Sequence, residues 1–368
     1  MALFGSQESY LGIDIGSSSI KLVELSNQKG RAKLNTYGYL EEKNDVLKSQ
    51  DDQNIQKVAD SVKKLVESSK GTSKKVIAAL PSFTVFSSII SLPEMPKKEM
   101  QNAVEWEAKK FVPMPLEEMI LDWKLLENFG EEIQPAEKSE SKTENQGNIN
   151  EKDKKNIKIL ITAAPQNLVT KYMEIFQKAG LQIVSLETEA FALERSLVGH
   201  DPSPVMVVDI GASTTSITIV RSSVPIINRS IDLGGESITK TIANSLNILP
   251  ERAEQFKRDY GLSLSQEESS QVPKRIEFMI SSIVNEIRYV LNLYQSQNQG
   301  MIEKIILAGG SAWLPNLPQY LKNVLNTKVF IGDPWARVIY PEDLKPVLQE
   351  LGPRMAVSVG LAMRQIHQ

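Results

Sequence analysis

"LGIDIGSSSIKLVEL", residues Leu11–Leu25, sets an acid and a glycine between two apolar runs and follows them with three serines. The alternation on either side reads as strand, turn, strand. Gly and Ser are ordinary turn residues. They are also what a backbone needs to close its N–H groups on a phosphate, with a nearby carboxylate for a metal ion. The stretch alone leaves both readings open, and the rest of the chain must separate them.

The chain has 368 residues, 41% of them hydrophobic, enough to bury a large core and to split into about two or more domains. A formal net charge of -3 gives no global attraction to nucleic acid or to anionic lipid. There is no cysteine, which removes disulfides and thiolate metal sites and fits a reducing compartment. The histidines are His200 and His367, so a Ser-His-Asp triad has almost nothing to draw on. The opening "MALFGSQESY" lacks the pattern of a secretion signal, and no run reaches the roughly 20 apolar residues of a membrane span. The expectation is a soluble cytoplasmic chain that meets a membrane only through a partner.

Working outward, "YLGIDI", "IKLVEL" and "KLNTYGYLE" form a predicted meander, followed by a helix over 54–69 and a buried strand in "KKVIAALP". Residues 81–185 differ in texture. The runs "FTVFSSIISLP" and "MILDWKLLE" flank a helix with Pro96 in its first turn, and the whole is expected to be an inserted subdomain. Within it, residues 131–156 carry twelve charged side chains and no aromatic residue, the composition of a mobile loop. Beyond it come a strand, a helix stopped by Gly180 and "LQIVSLETEAFALERSLVG", a strand passing into a second helix.

The opening motif then returns. "VMVVDIGASTTSITIV", Val205–Val220, repeats "DIG", a small-hydroxyl turn and a β-rich second strand, with Asp209 lying 195 residues after Asp14. Two copies of one device point to two related half-molecules. Phosphate between them could be reached by backbone N–H groups of both turns, Gly16, Ser17, Ser18 and Ser19 on one side, Gly211, Ala212, Ser213, Thr214 and Thr215 on the other, with the hydroxyls of Ser17, Ser18, Thr214 and Thr215 adding donors. Asp14 and Asp209, at opposing strand ends, suit an outer shell for Mg²⁺, which keeps waters. Lys21 could neutralise a phosphate oxygen or be an exposed strand lysine.

A third element, "KIILAGGSAWLPNL", ends an apolar strand at Gly309 and Gly310 before Ser311, where backbone could approach a purine or an α-phosphate. Gly234 and Gly235 precede another helix. In "PERAEQFKRDYG", Glu254 and Lys257 share a face and could hydrogen-bond a ribose or form a surface ion pair.

Three glycine-bearing turns in this order resemble the actin, sugar kinase and Hsp70 superfamily of ATP-binding proteins. "DIGSSS" looks like its first phosphate loop, "DIGASTT" like its second and "LAGGSA" like its adenosine motif. "ETEAFALERS" and "MAVSVGLAMR" match its connecting helices, with Ala190, Ala192, Ala356 and Gly360 small enough for a close crossing at a hinge. Within the superfamily the likeness is to the PilM-like proteins of type IV pilus assembly and next to FtsA. It is carried by "ALPSFTVFSSIISLP", "EMQNAVEWEAKKFVPMPLEE" and "AAPQNLVTKYMEIFQKAGL".

The resemblance implies an α/β actin-like ATPase fold: two lobes of related RNase H-like domains around a nucleotide cleft, with an FtsA-like inserted subdomain 1C. The first lobe would take 1–80, 186–200 and 352–368, the insertion 81–185, the second lobe 201–235 and 301–351, and a subdomain 2B 236–300. It implies ATP and Mg²⁺ as ligands, held more for binding than for turnover. It also implies capture of the N-terminal peptide of a PilN-like inner-membrane protein in a groove beside the insertion, with Phe83–Leu92 a candidate wall or simply a buried strand. Other pilus assembly proteins, motor ATPases and a homo-oligomer are further partners the resemblance brings. The alternatives are an FtsA-like polymerising ATPase, disfavoured by a C-terminus without a membrane-targeting helix, and a small-molecule kinase, for which no catalytic aspartate stands out.

Overall fold

The computed structural model describes residues 8–43, 52–126, 156–262, 271–297 and 300–366. The chain divides into two units, one made of Met1–Thr84 and Asn167–Gln368, the other of Val85–Gln166. The loop expected at 131–156 lies, but for Asn156, outside the described residues.

The first unit opens with the predicted meander, β1 (Ser9–Ile15), β2 (Ser19–Gln28) and β3 (Arg31–Glu41), then α1 (Asp52–Ser68) and β4 (Lys75–Leu80). Ile55, Val58, Val62, Leu65 and Val66 are buried along α1, as their helical spacing requires.

In the second unit, β5 (Phe86–Pro93), α2 (Lys97–Ala108), β6 (Met119–Leu126) and β7 (Asn156–Pro165) form one antiparallel sheet, ordered β5-β7-β6, with a helix. Ile90, Leu92, Ile159 and Ile161 pack on Met100, Val104 and Ala108 of α2. Pro96 is the N-cap of α2, one residue before the position expected of it.

The chain then re-enters the first unit through α3 (Gln166–Lys178), β8 (Gln182–Thr188) and α4 (Glu189–Leu193), whose last turn widens into a π-helical turn over Glu194–Val198. This corrects the expected insertion of 81–185. β8 runs parallel to β4, from Lys75 opposite Gln182 to Leu80 opposite Thr188, so residues 167–185 belong to the first unit. Parallel neighbours need a crossover, and α3 supplies it.

A second meander follows, β9 (Val205–Ile210), β10 (Thr215–Arg221) and β11 (Val224–Ile231), then α5 (Gly235–Leu246), α6 (Pro250–Tyr260), α7 (Gln271–Ser296), β12 (Lys304–Ala308), α8 (Leu317–Leu325), β13 (Lys328–Ile331), β14 (Val338–Ile339) and α9 (Lys345–Met363). The sheets are ordered β14-β3-β2-β1-β4-β8 and β11-β10-β9-β12-β13. Each has an antiparallel meander whose first strand continues into two parallel strands, so the repeat read from "DIG" extends to whole half-molecules. A second boundary shifts too: β14 pairs with β3, and α9, which starts at Lys345, packs on β1 and β2. The chain thus returns to the first sheet before residue 352.

One apolar cluster joins Ile77 and Ala79 of the first sheet, Val205, Val207 and Ile306 of the second, Ala192 of α4, and Ala356 and Leu361 of α9. The two connecting helices cross where small residues permit it: a Cβ on Gly360 would lie 1.9 Å from Ala192 O. Beside the crossing, Arg195 grips both carboxylate oxygens of Glu187 at 2.8 and 2.9 Å, and Arg364 adds a third bond at 2.5 Å.

Candidate functional site

The two "DIG" turns fold alike because each strand reverses over the same span. Gly16 N–H donates to Ser19 O at 2.9 Å, and Gly211 N–H donates to Thr214 O at 2.9 Å. The acids stand one residue before the strand ends, Asp14 opposite Lys21 and Asp209 opposite Ser216. The turns meet, with Ser17 Oγ 2.8 Å from Ser213 Oγ.

Lys21 stands among acids. Its Nζ lies 2.9 Å from Asp14 Oδ2, both side chains being largely buried. Burial works against the Lys21 charge, but Asp14 first and Asp209 after it hold the ammonium above its usual pKa. Burial pushes the Asp209 carboxyl up to about 6; Lys21 opposes the rise and Asp14 adds to it.

A third carboxylate, which the sequence reading passed over, joins them. Glu189 opens α4 directly after β8, and its Oε2 accepts the Ser82 N–H at 3.0 Å. Burial, then the charges of Asp14 and Asp209, push it up to about 8. It lies within "ETEAFALERS", whose small residues point to a hinge helix; an acid at a strand end feeding a helix is the signal that marks it.

On the second sheet three loops interlock. Gly235 N–H donates to Gly211 O at 2.9 Å and Glu236 N–H to Ala212 O at 2.8 Å, so the start of α5 is bound to the second turn. A Cβ on Gly235 would come 2.7 Å from Ser311 Oγ, and one on Gly309, at φ +82, 2.4 Å from Asp209 Oδ1. Gly309 therefore has to be glycine for backbone conformation and for closeness to Asp209. Gly310 does not: its missing Cβ would meet nothing nearer than the Arg354 side chain at 3.4 Å.

Two expectations change. Thr215 is fully buried, and its Oγ1 donates to Leu233 O at 2.6 Å, so it anchors β10 rather than offering a hydroxyl to phosphate. Ser19 is likewise buried and contributes its carbonyl to the turn, while Ser17, Ser18, Ser213 and Thr214 remain at the surface or half-buried. Glu254 and Lys257 are bonded to each other at 2.6 Å, Lys257 also to Gly235 O and Thr239 Oγ1. Burial alone would raise the Glu254 pKa, but hydrogen bonds from Lys257 and Thr239 bring it down to about 2. The pair, on α6, is half-buried and reaches the start of α5 through buried Lys257, more committed than a surface ion pair. Phe83, half-exposed, lies in the first unit, whereas Ile90 and Leu92 are core residues of the second.

Comparison with known proteins assigns the chain to a family. The family described as type IV pilus assembly protein PilM matches residues 12–140 and 145–366. The chain belongs to the PilM family. A solved PilM-PilN type IV pilus biogenesis complex is similar at 28% identity and a TM-score of 0.79, over 98% of this chain and 99% of that one. The cell division protein FtsA of Bacillus subtilis is 22% identical over 204 residues, 48% of this chain and 44% of FtsA, so the chain spans less than half of that curated relative. A MamK variant bound to AMPPNP shares the fold at 13% identity and a TM-score of 0.51, over 99% of this chain and 100% of that one. The PilM-family chain thus has the actin-like ATPase fold. No helix among the described residues is long and apolar enough to cross a membrane.

Proposed function

We propose that the chain is an ATP-binding scaffold of type IV pilus assembly that captures the N-terminal tail of a PilN-like inner-membrane protein and is held at that membrane by it. The observation that carries the nucleotide half is the meeting of the two turns at Ser17 and Ser213 over Asp14, Lys21 and Asp209. The partner half is supported by family membership and by likeness to a PilM-PilN complex over nearly the whole chain.

The residues present fit a nucleotide with a magnesium ion. Gly16, Ser17, Ser18, Gly211, Ala212, Ser213 and Thr214 would hold the phosphates, and Gly309, Gly310, Ser311, Gly235, Glu254 and Lys257 the nucleoside. Among the described residues no group of three acid, histidine or cysteine side chains is placed to hold a metal. The protein therefore offers Asp14 and Asp209 through water, which suits Mg²⁺. That ion would supply charge neutralisation on the phosphates.

Burial, and after it the charges of Asp14 and Asp209, push the Glu189 carboxyl up to about 8, so without nucleotide, near neutrality, it is mainly protonated and has an O–H to donate.

The test is binding of a synthetic PilN-type N-terminal peptide by calorimetry with and without Mg-ATP. Asp14→Ala and Asp209→Ala should weaken Mg-ATP binding about tenfold or more. Unchanged nucleotide affinity in both would end the nucleotide half, and failure of several such peptides to bind would end the partner half.

A further inference from the structure

Arg354 is the cation of the cleft that the reading so far leaves without a task. It sits half-buried on α9, and among the described residues no carboxylate pairs with its guanidinium. A half-buried guanidinium with no acid beside it leaves charge-assisted hydrogen bonds unmade, and an incoming anion gains them.

Its position is built rather than incidental. Pro353 interrupts the helix ladder immediately before it, removing the N–H that would serve the carbonyl one turn earlier. The glycine loop binds α9 at this point. Gly309 N–H donates to Pro353 O at 2.9 Å, and Trp313 Nε1 donates to Glu350 O at 2.9 Å. The base of Arg354 is thus tied to the loop whose Gly309 touches Asp209.

The side chain then reaches from the glycine loop to β3. Its Nε lies 3.4 Å from where a Gly310 Cβ would be, and its guanidinium carbon is 5.7 Å from the centre of the Tyr39 ring on β3. Tyr39 stands opposite Lys21 in the β2–β3 ladder. Lys21 and Tyr39 are thus cross-strand neighbours on one face of the sheet, Lys21 bonded to Asp14, while Arg354 lies over the Tyr39 ring and beside the glycine loop. Arg354 is also close enough to Lys257 to bear on its charge. Lys257 beside Gly235 and Arg354 beside Gly310, with Glu254 shared between Lys257 and Arg258, leave a net positive charge next to these two glycines.

We infer that Arg354 holds an inner phosphate of a bound nucleotide, with Tyr39 as the surface its guanidinium rests on, so that the ligand joins the glycine loop to the first sheet. The inference depends on the nucleotide reading above and adds to it a residue that the three glycine turns do not contain.

The experiment compares the full chain with Arg354→Gln and Arg354→Lys, titrated with Mg-ATP and Mg-ADP by calorimetry, at low and at raised salt. Losing a charge-assisted hydrogen bond should weaken both nucleotides by the same factor of about ten or more. Arg354→Lys should recover part of the loss, since the charge is kept but not the fork. The salt dependence of binding should shrink in Arg354→Gln. Thermal midpoints without nucleotide should fall only slightly, since the contact with Tyr39 is lost but no ion pair is. Unchanged affinity in Arg354→Gln, a loss confined to ATP, or a lysine variant as weak as the glutamine variant would each overturn the assignment. A wild-type chain that binds neither nucleotide would overturn the wider reading instead.

Discussion

Ser17 Oγ and Ser213 Oγ lie 2.8 Å apart, although 196 positions separate them in the chain. Each belongs to the turn that follows an aspartate-bearing strand, so the bond is where the two repeated turns touch. A phosphate reaching both turns has to take the place of that contact. Because the chain has no native cysteine, the contact can be read chemically. The doubly substituted Ser17→Cys, Ser213→Cys chain should oxidise readily to an internal disulfide, the sulfurs taking the places of two hydroxyl oxygens already in contact. Saturating Mg-ATP should slow that reaction at least severalfold. Equal rates with and without nucleotide, followed by non-reducing electrophoresis, would mean that the ligand does not enter between the turns.

The acids of the cleft and hinge give the stability a distinctive pH profile. Asp209 is pushed up to about 6 and Glu189 to about 8, in both cases chiefly by burial. Glu194, in the π-helical turn, rises to about 7, again mainly by burial, against the pull of Arg195 and Arg337. The folded chain therefore binds more protons than the unfolded one between about pH 4 and 8, and stability falls as pH rises through that window. Thermal midpoints without nucleotide should decline from pH 5 to pH 8. Glu189→Gln and Glu194→Gln should each flatten the decline, because the amide never ionises. A slope as steep in both variants as in wild type would remove these two groups as its source.

Much of this arrangement was legible in residues 11–25 and 205–220, where an acid, a glycine and small hydroxyl residues between alternating apolar runs leave few other local structures. The order of the turns and the small residues of the connecting helices were legible for the same local reason. Residues whose role depends on who meets whom were not. Thr215 carries a hydroxyl like its neighbours, and only the buried Leu233 carbonyl beside it explains why it turns inward. Glu189 and Arg354 sit in helices whose small residues drew attention to packing. Their relation to Asp14 and to Gly310 arises from chain segments well over a hundred and about forty residues away, respectively. The end of the insertion was misplaced because β8 is a half-exposed edge strand of mixed composition, and only its pairing with β4 assigns it to the first sheet.

The two glycines Gly360 and Gly310 should respond oppositely to the same substitution. At Gly360 a Cβ would lie 1.9 Å from the Ala192 carbonyl oxygen, a backbone atom of the crossing helix that cannot rotate away. Gly360→Ala must therefore separate α4 from α9 and should cost about 2 kcal/mol or more in urea denaturation. At Gly310 the nearest atom is the flexible Arg354 side chain at 3.4 Å, and Gly310→Ala should change stability by less than about 1 kcal/mol. Comparable losses in both variants would contradict the reading of Gly360 as a crossing point.

Glu24 offers a test of the first sheet that leaves the cleft alone. Its side chain is fully buried on β2, yet it accepts hydrogen bonds from Ser9 Oγ at 2.8 Å, Asn35 Nδ2 at 3.4 Å, Thr72 N at 2.7 Å and Thr72 Oγ1 at 2.6 Å. Burial alone would raise its pKa, but the donors, Thr72 first, outweigh it and hold the carboxyl below its usual value. Its contribution is therefore complete above the ordinary glutamate pKa of about 4.5 and is lost as the solution is acidified below it. Glu24→Gln keeps the shape but turns one acceptor into a donor facing other donors. The expected cost is about 2 to 4 kcal/mol at pH 7, from the groups left unpaired. At pH 3 the gap between variant and wild type should narrow, since the wild-type carboxyl is then giving up its charge. Nucleotide affinity should stay at the wild-type value wherever the variant is folded. A constant gap at both pH values would assign the loss to packing rather than to the buried charge.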